Sequence, residues 1–115
     1  MDIAAFVNNW IAVGNSYDLK KYLGFFEEDV IFDDPSVGRV FHGHAGVTEY
    51  FNSYFIGYKT HTELVKLEHT VGTAHLEVLF TGDFPEGKIG GTFDFIFRNG
   101  KIATVKADLV DDHLF

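Results

Sequence analysis

The segment from Lys88 to Val110 consists of two alternating runs joined by Asn99-Gly100. Asn-Gly between alternating strands predicts a two-residue hairpin turn, because both residues tolerate positive φ. Upstream, His61 to Thr70 and Thr73 to Phe84 have the same strand character, with Val71-Gly72 and Pro85-Glu86-Gly87 as connections. The C-terminal half of the chain is therefore expected to be an antiparallel meander. The N-terminal half is different: Ile3, Phe6, Val7, Trp10 and Ile11 lie at helical spacing and predict a helix over Ile3 to Val13. A second short helix is expected over Leu19 to Phe25, capped by Asp18 and ended with help from Gly24. A third is expected after Gly43, through Val47, Tyr50, Phe51, Tyr54 and Phe55. Helices first and a long-stranded sheet afterwards predict an α+β domain with the helices gathered on one face. With 115 residues and no linker or repeat, residues 1–115 form one domain.

Between the helices lies DVIFDDPSVGRVFHG, from Asp29 to Gly43, with a short strand expected at Arg39 to His42. In an extended chain Val30, Phe32 and Asp34 share one face, and Ile31 and Asp33 share the other. Pro35 keeps the preceding residue extended, so Asp34 points where the hydrophobic side chains point. A carboxylate there is costly unless it is paired or neutralised. The simpler reading is a strand-ending turn in which the acid caps local amides. A second acid stands in Lys88 to Arg98: Thr92, Asp94 and Ile96 share one face, and Ile89, Gly91, Phe93, Phe95 and Phe97 share the opposite one. Asp is depleted in strand interiors, which makes Asp94 a candidate partner for Asp34; the alternative is an exposed polar face.

Charge and composition exclude several classes. A net charge of -8 with only 9 Lys and Arg disfavours binding to phosphate backbones, so nucleic acid is not an expected partner. There is no cysteine, hence no disulfide framework, and no uncharged apolar run approaches a membrane span. The N-terminus lacks the basic layout of a secretory signal, and a cytoplasmic location is the expectation. Six histidines include His42, His44, His61, His69 and His75, but none has a recognised ligand spacing and no metal site is assigned. The 13 Phe make the aromatic share 17 %, so an aromatic core or interface is expected. With Phe93, Phe95 and Phe97 opposite Asp94, both sides of that strand read as apolar. One side would line a pocket, and the other would need cover from a sheet-to-sheet homodimer or from Asp108 to Phe115.

The helix-helix-strand order, FDDPSVG, the Gly before the third helix and FDFIFRNGK together resemble the nuclear transport factor 2-like superfamily. Within it the chain is most similar to the ketosteroid isomerases and SnoaL-like polyketide cyclases, from about Ile3 to Ala107. The resemblance implies three helices packed on a strongly curved, mostly antiparallel sheet forming a cone-shaped pocket, the cystatin-like arrangement. It also implies a small hydrophobic ligand, with Trp10, Phe32, Phe51, Tyr54, Phe80, Ile96 and Val105 as pocket residues. Asp34 falls where the isomerases carry their proton-shuttling Asp before a Pro. Asp94 falls where they carry a protonated Asp that donates to the substrate's carbonyl oxygen. Trp10 stands at the position of the family's catalytic Tyr, and its indole can donate but has no ionisable hydroxyl. The implied chemistry is enolisation or isomerisation of a hydrophobic carbonyl compound, with no metal or organic cofactor needed. A SnoaL-like cyclase or dehydratase, or a ligand-binding protein without catalysis, shares the same scaffold.

Overall fold

Asp2 opens the first helix, α1 (Ile3–Asn15), by accepting from the Ala5 amide at 3.0 Å. Its buried residues Ile3, Val7, Trp10 and Gly14 form one stripe. Asp18 caps α2 (Leu19–Leu23) in the same way, through the Lys21 amide. The computed structural model describes residues 1–110 of the chain. Six strands follow: β1 (Phe26–Asp34), β2 (Arg39–His42), β3 (His61–His69), β4 (Thr73–Thr81), β5 (Lys88–Arg98) and β6 (Lys101–Val110). Between β2 and β3 lies α3 (Gly43–Tyr50), which runs directly into a π-helical turn over Phe51–Ile56. The boundaries differ from the sequence expectation by a few residues, most at β4, which ends at Thr81 and not at Phe84.

The strands form one sheet in the order β2-β1-β6-β5-β4-β3, antiparallel throughout except for β1 beside β6. Asn99 and Gly100 take φ of 54° and 73°, the left-handed pair that the β5–β6 hairpin requires. Register shifts interrupt three of the ladders, between Leu64 and Lys66, between Ile96 and Phe97, and between Phe26 and Ile31. Such irregularities bend a sheet, and this one curls around the helices.

The curl decides which face of β5 is inside. Phe93 and Phe95 are buried and meet the Trp10 ring edge-on at 5.0 and 5.1 Å, while Phe97 meets Phe6 at 5.2 Å. Thus α1 roofs the Phe row, and the expected need for a second copy to cover it does not arise. Asp111 to Phe115, most of the alternative cover, lie outside the described residues. The outer face carries Thr92, Asp94 and Ile96, with Asp94 and Ile96 exposed. Across it the pairing places Asp33, Lys106, Asp94, His75 and Glu68 side by side on five successive strands. Acids alternate with Lys106 and His75 along this row. Among the described residues no helix is long and apolar enough to cross a membrane.

Candidate functional site

Asp34 is the last residue of β1, and the alternation that buries Val30 and Phe32 buries it too, at 3 % exposure. Its carboxylate is held by three donors. The Ser36 amide donates to Oδ1 at 2.9 Å, and the Ser36 hydroxyl donates to the same oxygen. The Tyr50 hydroxyl donates to Oδ2 at 2.7 Å. The first two bonds are the local turn capping that a strand-ending Asp-Pro predicts; the third comes from the end of α3. Both readings of Asp34 therefore hold at once. A carboxylate offers about four lone-pair sites, and among the described residues only Tyr50 donates to Oδ2, which leaves its second site for a ligand.

Tyr50 is fixed by rings on two sides, Phe32 at 4.3 Å and Phe41 at 5.2 Å. Its pKa is pushed well above the ordinary tyrosine value, first by burial, then by the Asp34 charge and the hydrogen bond to it. It therefore remains a donor at neutral pH. In the π-helical turn the Gly57 amide bonds the Asn52 carbonyl at 2.9 Å, one residue beyond the α-helical partner. Immediately after it the Thr60 amide bonds the Phe55 carbonyl at 2.8 Å, and the Thr60 hydroxyl bonds the Tyr54 carbonyl at 2.7 Å. This widened stretch brings Tyr54, Phe55, Tyr58 and Thr60 to the same cavity as Tyr50 and Asp34.

That cavity has a volume of about 280 Å³ and a mainly apolar lining. Phe80 and Ile89 from the meander form part of its wall, and the turn residues Phe84, Pro85 and Glu86 stand at its mouth. Of the pocket residues expected from sequence, Tyr54 and Phe80 line it. Trp10, Phe32, Phe51 and Val105 lie behind it in the core, each at 1 % exposure or less. Among the described residues the Trp10 indole N–H completes no well-formed hydrogen bond, and it does not line the pocket, so it does not replace the tyrosine of the family pattern. Ile96 is on the outer face.

Asp94 is not brought to Asp34. Its side chain is 54 % exposed on the outer face and bonds His75 Nδ1 at 2.6 Å. The strand alternation correctly grouped Asp94 with Thr92 and Ile96, but the three phenylalanines of the opposite face take the interior. The role of buried hydrogen-bond donor therefore cannot fall to it. His44 Nε2 donates to the Phe26 carbonyl at 2.9 Å, anchoring the start of α3 to β1. Among the described residues no three His, Asp or Glu side chains form a group that could hold a metal ion.

Residues 7–105 match the model of the SnoaL-like domain. The fold is shared with a candidate polyketide cyclase, SMa1630, of Sinorhizobium meliloti, with a TM-score of 0.81 and 17 % identity over 90 % of this chain and 93 % of that one. A candidate ketosteroid isomerase of Kribbella flavida superposes with a TM-score of 0.82 at 15 % identity, covering 96 % and 85 % of the two chains. The epoxide hydrolase/cyclase-like enzyme of pyran ring formation in the polyether salinomycin gives 0.80 at 20 % identity, covering 93 % and 89 %. At these identities the likeness is one of fold. No curated protein matches the sequence.

Proposed function

We propose, for a chain that belongs to the SnoaL-like domain family, a small-molecule enzyme in which Asp34 is the general base toward a hydrophobic carbonyl compound. The observation that carries this reading is the Asp34 carboxylate itself. It is buried, it lines the pocket, and among the described residues Ser36 takes Oδ1 while only Tyr50 donates to Oδ2. In the proposed step Oδ2 takes a proton from the carbon next to the carbonyl, the electron pair of that C–H bond becomes a carbon–carbon double bond, and the carbonyl π pair moves to the oxygen. Tyr54 or Tyr58 in the same lining supplies the hydroxyl that bonds the enolate oxygen. Returning the proton to a different carbon completes an isomerisation. If the enolate carbon instead attacks a second carbonyl of the same molecule, a ring forms and the new alkoxide takes the proton that Asp34 holds, as in an aldol cyclisation. With Asp94 on the outer face, both routes depend on the tyrosine hydroxyls for what a second buried acid does in the isomerase pattern.

The test is hydrogen exchange at the α-carbon of small ketones in deuterated buffer, followed by NMR. The wild-type protein is expected to accelerate exchange, and Asp34→Asn to lower the rate by about 100-fold or more. Exchange that survives Asp34→Asn unchanged removes Asp34 from the role.

A further inference from the structure

Six rings line the pocket: Tyr50, Tyr54, Phe55, Tyr58, Phe80 and Phe84. Among the described residues of the lining the charged ones are Asp34, in the buried part, and Glu86, which is exposed, and none is Lys, Arg or His. The nearby cation Arg39 is already committed, with two hydrogen bonds to Glu49 at 2.5 and 2.8 Å and its guanidinium over the Phe41 ring at 4.5 Å. Several of the rings meet at an angle: Tyr50 and Tyr54 at 49° with centroids 5.1 Å apart, Tyr58 and Phe84 at 82° and 6.2 Å. Rings set at different angles around one cavity offer it π surface from more than one side, and a π face attracts an ammonium group.

We infer that the substrate carries a tertiary or quaternary ammonium group, seated against Tyr58 and Phe84 near Glu86, with its reacting carbon at Asp34. This rests on the reading of Asp34 as the base and adds the class of molecule that reaches it. Three substrate types can be compared. A carboxylate would meet two like charges, with no cation among the described lining residues to offset them. A neutral ketone gains only apolar burial. An ammonium ketone gains the same burial together with the ring quadrupoles and both carboxylates, and the net charge of -8 attracts it at long range. Its positive charge close to the carbonyl also stabilises the enolate that Asp34 generates. The cavity, about 280 Å³, lies at the small end for ligand pockets, which suits a compact ammonium ketone.

Acetonyltrimethylammonium and its neutral carbon isostere, methyl neopentyl ketone, have one shape and differ in charge. Titrated into the wild-type protein with calorimetric or NMR detection, the cation is expected to bind about tenfold tighter or better. Combining Tyr58→Leu with Phe84→Leu keeps an apolar mouth without its rings, and is expected to bring the two affinities within about threefold. Equal affinities in the wild-type protein, an advantage undiminished in the double variant, or no cation binding up to about 10 mM overturns the inference. The α-proton exchange of both ketones is measured on the same samples. Exchange without a charge preference leaves Asp34 as the base and removes the ammonium; a charge preference without exchange does the reverse.

Discussion

Tyr50 and Tyr22 are both buried tyrosines, but their hydroxyls differ in what removing them would do. The Tyr50 hydroxyl bonds a buried carboxylate, so Tyr50→Phe leaves Asp34 one donor short and is expected to cost about 2 kcal/mol in urea unfolding. The Tyr22 hydroxyl is fully buried among rings that include Phe51 at 4.2 Å, and the Trp10 indole faces it without completing a well-formed hydrogen bond. Tyr22→Phe removes an unsatisfied group and is expected to be neutral or stabilising by up to about 1 kcal/mol at pH 7. The two also share a pH dependence. Burial raises the pKa of each far above the ordinary 10.0, opposed at Tyr22 only by the Trp10 indole. The unfolded chain releases these protons near pH 10 while the folded chain keeps them, so above that pH the unfolded state binds fewer protons. The corresponding stability is complete below pH 10 and is lost above it, by about 1.4 kcal/mol per pH unit for each tyrosine. Unfolding curves between about pH 9 and 11 should show this fall, and Tyr22→Phe should remove one of its two contributions.

At the level of elements, β4 and β5 shape the pocket wall through one glycine. A Cβ at Gly91 would overlap the Phe80 ring, which also packs edge-on against Phe55 and Phe93. Gly91→Ala must therefore displace Phe80 within the wall, with an expected cost of about 1–3 kcal/mol in urea unfolding and a change in ligand affinity. The elements themselves were legible because their periods are strong: the helical stripe of α1, the Asn99-Gly100 hairpin and the alternation that buries Asp34 all hold. Period two states which residues share a face and leaves open which face is inside. On β5 the acid drew attention to its own side, although three Phe outweigh Thr92, Asp94 and Ile96 in apolar area. The turn after α3 was harder to read. Nothing in FNSYFI distinguishes a π-helical turn from an α-helical one, yet Tyr50, Tyr54 and Tyr58 recur every four residues and carried a signal for a tyrosine-lined wall.

Over the whole molecule, the nuclear transport factor 2-like architecture followed from element order and from two short motifs, and the chain adopts it. Which groups reach the pocket depended on side-chain volume and sheet curvature, which no motif encodes. The same curvature leaves one row of charges crossing the outer face. Lys106 lies between Asp33 and Asp94 in that row, so Lys106→Glu would set three acids side by side. The variant is expected to melt a few degrees lower in dilute buffer and to regain most of the loss in about 1 M salt. An equal loss at both salt concentrations would mean that the row contributes through packing and not through charge. The row also acts as an error check during sheet assembly. If any of these strands pairs one position out of step, it turns its charged rung inward and its Phe, Val or Leu neighbours outward. Such a sheet would have to bury an unpaired ion, so misaligned pairings lie well above the native register in free energy.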